Sequence, residues 1–429
     1  MASRYASVLG LGFGDCGKGI FVDALTRRWQ AHTVVRFSGG AQAGHNVVTP
    51  NRSHTFSQFS AGTFVPGTRT ILIDPMMLHP TALLAEAEAL SRISVDDALS
   101  RLTIDAQCRV TTPYHQAAGR LRELLRGKAA HGTCGVGVGE TVRHSIQFPD
   151  QAIRYSDLTR QVALDKLLAI RQTIVEEFEP QCAGMPEFET LRDESLAKRW
   201  FNAARALARH SPPASADEIR MHLKQPGCIL FEGAQGVLLD ECRGFHPYTT
   251  WSSITTSAVE NAAKRFGIDS PIEHYGVTRT YLTRHGIGPL PTHDEALDRE
   301  LPEFHNRSDN MQGVFRRGHP DAVLLRYALD AVGPLSGLLV SHLDVIKRGV
   351  ALKWCERYET ASCLPLGTLG DLEHQIALTK LLEQARPLYA AHRIASVTEF
   401  FARLGSVTNL PVVYWSRGNS NADVVGDDR

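Results

Sequence analysis

The chain has 429 residues, with 46 basic and 46 acidic side chains and a formal net charge of zero. A balanced surface of this kind gives no electrostatic case for a polyanion such as DNA. No apolar run approaches the roughly 18 residues of a membrane helix, and the N-terminus lacks a charged-then-apolar leader pattern, so a cytoplasmic protein is expected. Eight cysteines are scattered without a CxxC pair, which argues against a zinc site of the usual spacing and suits reduced thiols.

The first apolar run, Tyr5 to Leu11, reads as a buried strand, and it breaks into Gly12-Phe13-Gly14-Asp15-Cys16-Gly17-Lys18-Gly19. A helical pattern follows, with Phe21, Leu25 and Trp29 on one face. Strand, glycine loop and helix together form the layout in which backbone N–H groups and a helix start cradle phosphate. Gly12-x4-Gly17-Lys18 fits the first part of a Walker A motif, but Gly19 stands where that motif needs Ser or Thr. Asp15 is the replacement oxygen ligand for Mg²⁺, and a carboxylate there can also do acid–base work.

Thr33 to Phe37 reads as a second strand, ending in Ser38-Gly39-Gly40-Ala41-Gln42-Ala43-Gly44-His45-Asn46. Further strands are expected at 70–73 and 102–104, each followed by a helical stretch, at 78–90 and 114–125. The cluster His131 to Glu140 holds four glycines in eight residues and reads as a loop that lets backbone approach a ligand. Residues 157–223 look mainly helical. Cys228 to Phe231 is a strand closing on Glu232-Gly233-Ala234-Gln235-Gly236, and Gly244 to Ser253 is dense in hydroxyl and amide groups. Strand-like runs at 275–283, 335–340 and 412–415 end in Arg284-His285-Gly286, in Ser341-His342-Leu343-Asp344 and in Ser416-Arg417-Gly418-Asn419. Strands alternating with helices predict one large α/β domain over the whole chain, with a mostly parallel central sheet and helices on both faces.

These loops, in this order, resemble the adenylosuccinate synthetase family. Its first loop, Gly-Asp-Glu-Gly-Lys-Gly, reads Gly14-Asp15-Cys16-Gly17-Lys18-Gly19 here, and its Phe-Glu-Gly-Ala-Gln-Gly is identical at Phe231 to Gly236. Gly39 to His45, Pro247 to Thr250 and Gly288 to Thr292 echo three more of its motifs. The resemblance implies a homodimeric carbon–nitrogen ligase of purine biosynthesis that joins IMP to aspartate with GTP and Mg²⁺. Asp15 would take the proton from N1 of the base, O6 would attack the γ-phosphate, and the aspartate amine would displace the phosphoryl group. Asp15 and the Gly44 carbonyl would hold the metal, His45 would donate at the breaking bond, and Lys18 with Gly14, Gly17 and Gly19 would hold phosphates. Gln42, Thr133, Cys134, Gln235 and Thr250 fall at purine-nucleotide positions, Asp344, Ser416 and Gly418 at guanosine positions, and Gln312 and Arg316 at the amino-acid loop.

The departures cluster on ligand contacts. Gln42 replaces an Asn, Cys134 a Thr and Val136 an Arg, and Val314 falls at an arginine position of the amino-acid loop. His342 stands where the family has a lysine over the guanine, so ATP or dATP stays open as donor beside GTP. The arginine lent by the partner subunit has no clear counterpart, with Arg143 and Arg154 nearest. These changes resemble the divergent branch with archaeal-type members and phage homologues that accept GMP or dGMP. GMP, dGMP or another amine are therefore alternatives. A regulator without turnover and a generic P-loop NTPase are rivals of other classes.

Overall fold

The computed structural model describes residues 3–127, 130–303 and 312–426. Its centre is a ten-stranded sheet. In chain order we number the strands β1 (Arg4–Gly10), β2 (Ala31–Arg36), β3 (Arg69–Leu72), β4 (Leu102–Asp105), β5 (Pro213–Ala214), β6 (Cys228–Glu232), β7 (Ile272–Arg279), β8 (Gly337–Ser341), β9 (Val412–Ser416) and β10 (Val424–Gly426). The spatial order is β10-β9-β8-β7-β1-β6-β2-β3-β4-β5. Every neighbouring pair is parallel except the antiparallel edge pair β9 and β10.

Both faces of the sheet are buried, as its near-continuous apolar strands require. Along β1, Ala6 and Val8 enter one core while Tyr5 and Leu9 enter the other, the two-residue alternation of a strand. The first core packs helix α1 (Lys18–Arg28) through Phe21 and Leu25, α2 (Pro80–Ser91) through Leu83 and Leu90, and α3 (Pro113–Arg126) through Tyr114 and Leu121. Fully burying side chains of this size contributes about 1.5–3 kcal/mol each. Thr112 caps α3 by accepting from the His115 N–H, with Pro113 at the first helical position. The mainly helical 157–223 region adds Ile170, Phe178, Trp200 and Leu207 to the same core.

The 275–283 run splits into β7 and a short strand Leu282–His285, because Thr280 and Tyr281 turn the chain out of the sheet. That short strand pairs antiparallel with Phe315–Gly318, bringing Arg284 opposite Arg316. A second hairpin, His45–Thr49 with Arg52–Phe56, follows β2 and packs on α1. The carboxyl ends of β1, β2, β6, β7, β8 and β9 open on one edge, where strand order reverses around β1. Ligands of open parallel sheets bind at such an edge.

Candidate active site

The loop after β1 bends on glycine. Gly17 has φ +87° and caps α1, and a side chain there would place its Cβ 2.9 Å from that of Ser341. The start of α1 carries no side-chain cap and no acidic residue in its first turn, so its N–H groups face the loop unopposed. Lys18 is buried, and its Nζ donates to the carbonyls of Gly14 at 2.8 Å and of Gln235, with Cys16 Sγ at 3.6 Å. The ammonium thus ties the β1 loop to the β6 loop. The Gln235 side chain lies over the same turn, its Oε1 being 3.2 Å from where a Cβ of Gly14 would sit.

Gly19 has a packing reason to be glycine. A Cβ there would lie 2.8 Å from the Asn46 carbonyl oxygen and 3.2 Å from His45 Cβ. Absence of the Walker hydroxyl is what lets the His45 hairpin lie directly on α1. His45 is buried, and its Nδ1 meets Glu232 Oε1 in a short hydrogen bond, while its Nε2 is buried without a partner among the described residues. Glu232 Oε2 accepts from the Ala61 N–H at 3.0 Å. Burial, reinforced by the nearby Arg36 and Lys18 charges, outweighs the Glu232 carboxylate and pulls His45 down to about 4. The ligand-free imidazole is therefore neutral at pH 7. A neutral ring with Nδ1–H on a carboxylate presents a lone pair at Nε2, so a phosphate oxygen there would draw a proton onto the ring.

Asp15 is partly exposed, and its Oδ2 lies 3.4 Å from His285 Nε2. Its carbonyl is held from behind by Arg279 Nη1 at 2.9 Å and Thr283 Oγ at 3.0 Å. Arg279 also donates to Tyr281 Oη and to Glu303, the last described residue before position 312. Burial pushes the Glu303 carboxyl up, but the Arg279 charge and the hydrogen bonds from Arg279 and Tyr281 outweigh it and hold Glu303 down at about 2.

In the loop after β2, both polar atoms of the Gln42 side chain are buried without a partner among the described residues. Thr133 Oγ accepts from the Gly135 N–H at 3.4 Å, and Arg120 Nε donates to the Gly135 carbonyl at 3.2 Å. Burial raises the Cys134 thiol, which stays protonated. The Thr250 N–H donates to Leu239 O, and Trp251, 47% exposed, lies beside Gly139 at the start of α4 (Val138–Gln147). Arg143 pairs with Glu140 and Glu177, and Arg154 contacts Asp74 and the Gln107 carbonyl, so both serve their own chain.

At the far end, Leu343 N–H donates to Ser416 O at 3.1 Å and joins the Asp344 turn to the Ser416–Gly418 turn. Asp344 is within 3.6 Å of Arg348. His342 packs against its own loop. It turns back at φ +63°, its Nδ1 on Ser341 Oγ and its ring against Tyr281. Burial and the Arg279 charge pull it down to about 3.

The amino-acid loop expected at Asp309 to Gly318 begins outside the described residues, which resume at Gln312. Gln312 O lies close to Gly132 and Gly286, and Val314 is exposed. Arg316 donates to Gly288 O at 2.7 Å, with its Nε buried and without a partner among the described residues, while Arg317 turns inward onto Phe315 O and Asp298. Neither arginine is a solvated surface charge. Arg284, opposite Arg316, is pulled down to about 9 by burial and by its neighbour's charge.

The structure therefore ties Lys18 to Gly14 and Gln235 and packs Gly19 against His45, with the Asp15 carboxylate of the same loop facing His285. Sequence reasoning gave no role to Glu232, Arg36, Arg279 or His285. The available signal was a charged residue closing an apolar strand, as Glu232, Arg36 and Arg279 each do.

A family model for adenylosuccinate synthetase matches residues 7–414. The chain belongs to the adenylosuccinate synthetase family. Adenylosuccinate synthetase of Marinomonas sp. is 33% identical over 391 residues, covering 89% of this chain and 85% of the relative. That of Legionella pneumophila is 34% identical over 347 residues, covering 79% and 77%. A fully ligated adenylosuccinate synthetase from Plasmodium falciparum superposes with TM-score 0.80 at 19% identity, covering 99% of this chain and all of that one. The succinoaminodeoxyadenylate synthetase of cyanophage S-2L, bound to dGMP and to dATP as energy donor, gives 0.66 at 16% identity over 99% and 96%. At these identities the two structures speak to the fold. The chain is accordingly a nucleotide-dependent carbon–nitrogen ligase of a family that uses a nucleoside triphosphate and a metal. Among the described residues no helix is long and apolar enough to cross a membrane.

Proposed function

We propose that the whole chain works as one domain that joins IMP to the amine of aspartate at the expense of GTP. The observation that carries this reading is the meeting of the loops after β1, β2 and β6 at one sheet edge, where Lys18 bonds to Gly14 and Gln235, His45 packs against Gly19, and the partly exposed Asp15 carboxylate lies 3.4 Å from His285. Asp15 accepts the N1 proton of the purine, which places charge on O6. O6 attacks the γ-phosphorus and GDP leaves. Lys18 and the N–H groups of Gly14, Gly17 and Gly19 hold the phosphates, and His45, oriented by Glu232, donates from Nε2 to the phosphoryl oxygen. Positioning and charge neutralisation are most of what phosphoryl transfer needs. The amine then displaces phosphate from C6, with its carboxylates on Arg316 and Gln312. Gln42, Thr133, Cys134, Gln235 and Thr250 hold the purine nucleotide. Asp344, Ser416 and Gly418 take the guanine, which ATP or dATP would replace at a cost in Asp344 contacts.

The residues fit a Mg²⁺ ion. Among the described residues no cluster of three or more His, Cys, Asp or Glu forms a protein cage, and one carboxylate with a carbonyl, Asp15 and Gly44, is the donor set that Mg²⁺ completes with phosphates. When bound, it would neutralise phosphate charge. We infer a cytoplasmic homodimer, with Arg143 and Arg154 retained by their own subunit.

A second reading, GMP or dGMP in place of IMP or another amine in place of aspartate, draws on the unpartnered Gln42 amide and on exposed Val314. The test is a substrate matrix on purified protein: IMP, GMP or dGMP with aspartate, GTP or ATP, and Mg²⁺, followed by the ultraviolet change on N6-substitution. Turnover with IMP, aspartate and GTP supports the first reading. Turnover only with a 2-aminopurine nucleotide supports the second. Silence with aspartate but phosphate release with another amino acid moves the amine. Asp15→Asn should abolish ligation and leave nucleotide binding intact, and surviving activity would refute the base assignment.

A further inference from the structure

The glycine loop before α4 carries its own anion. Glu123, buried in the last turn of α3, points its Oε2 at three successive backbone N–H groups, His131 at 2.8 Å, Gly132 at 2.9 Å and Thr133 at 3.4 Å. Its Oε1 accepts from Arg126. Successive N–H groups curled round one oxygen form an anion nest, and such nests commonly receive a substrate phosphate. Here the acceptor is a side chain of the same protein, so these three N–H groups are already spent. Hydrogen bonds to a charged acceptor are the stronger kind, and the carboxyl is held below its usual range because Arg126 and the loop N–H groups outweigh its burial.

The consequence is positional. Immediately beyond the nest, Thr133 Oγ and the Gly135 N–H close the next turn, which carries Cys134. On its other side Gly132 backs onto Gln312 O and Ile287, at the edge of the amino-acid loop. We propose that Glu123 is a positioning residue for ligation, folding the 131–133 turn so that Thr133 and Cys134 meet the purine nucleotide and Gly132 braces the amino-acid loop. This rests on the reading of Thr133 and Cys134 as nucleotide contacts. It also states that a substrate phosphate reaches side-chain hydroxyls and later N–H groups of this loop, not those of 131–133.

The test uses full-length Glu123→Ala and Glu123→Gln, with IMP binding by calorimetry, steady-state kinetics and thermal melting. With the acceptor removed, Glu123→Ala should raise KM for IMP about tenfold or more, the scale of one or two lost hydrogen bonds. KM for aspartate should rise with it, while kcat changes less than KM. Glu123→Gln keeps an oxygen at the nest and should recover most of the binding, a rescue that a general loss of stability would not show. Should Glu123→Ala not fold, Glu123→Leu, which keeps the side-chain bulk but offers the nest no acceptor, takes its place: a rise in KM for IMP of about tenfold supports the role, and an unchanged KM overturns it. Tighter IMP binding by Glu123→Ala would mean that the carboxylate competes with substrate phosphate, which also overturns it. Wild-type protein that binds none of IMP, GMP and dGMP removes the premise and the proposal with it. Wild-type binding with unchanged variants refutes the role of Glu123 alone.

Discussion

Restoring the Walker hydroxyl by Gly19→Ser should damage this enzyme. A serine Cβ would sit 2.8 Å from the Asn46 carbonyl oxygen, 3.1 Å from the His45 carbonyl carbon and 3.2 Å from His45 Cβ. The nearest of these is backbone, so relief requires the His45–Thr49 strand to lift from α1 by several tenths of an ångström. Overpacking of this kind costs about 1–3 kcal/mol. With an unfolding entropy of about 2.1 cal/mol/K per residue, a chain of 429 residues would then lose only about 1–3 °C in Tm. The larger effect is on turnover. His45 rides on the displaced strand, and a misplacement approaching 1 Å costs up to about 100-fold in rate. The assay pairs thermal melting with single-turnover phosphoryl transfer. A Gly19→Ser protein that melts within a degree of wild type and transfers phosphate at the wild-type rate would refute the packing argument for Gly19 and the place given to His45.

Glu232→Gln should keep the hydrogen bond to His45 but remove the charge that supports a protonated ring, lowering kcat by about 10–100-fold with GTP binding unchanged, as read by steady-state kinetics. Arg279→Met strips the Asp15 carbonyl of a donor and leaves Glu303 without its cation, so about 3 kcal/mol of stability and most of kcat should go together in denaturant titration and rate assays. His115 and His342 are both pulled to about 3, His115 by burial and the neighbouring His144 and Arg143 charges, and His342 by burial and Arg279. Their folded pKa values lie below the unfolded value near 6.5, so the unfolded chain binds more protons between those limits. Stability should be full above pH 6.5 and fall as pH drops, by about 2 kcal/mol per histidine at pH 5. A Tm that does not fall between pH 7 and 5 would contradict this.

Most of the sheet was legible because it is parallel and covered on both faces. Strands such as Val8–Leu9, Val34–Val35 and Leu230–Phe231 are then apolar without alternation and end on glycine. The short elements were not. The His45–Phe56 hairpin is mixed in polarity, and its strands are held by packing on α1 and not by their own pattern. The edge strand Val424–Gly426 has only three residues. In the site, loop glycines and motif side chains could be named from order and spacing alone. Glu232 and Arg279 could not be given roles, since each acts on a partner far away in sequence: His45 is 187 positions from Glu232, and Asp15 is 264 from Arg279. That His342 turns back onto Ser341 and Tyr281 could not be read either, since it depends on the left-handed backbone at that residue.

The position of β1 also sets a timetable for synthesis. It precedes the other nine strands of the sheet along the chain, yet its two neighbours are Cys228–Glu232 and Ile272–Arg279. At about 5–20 residues per second, the middle of the sheet stays open on both sides for roughly ten to fifty seconds after β1 leaves the ribosome. During that interval the glycine loop exists as sequence but not as a cradle, and Ala6, Val8 and Leu9 have no permanent partners. Heterologous production should thus be limited by what shields this first strand while the nascent chain grows, more than by the stability of the finished molecule.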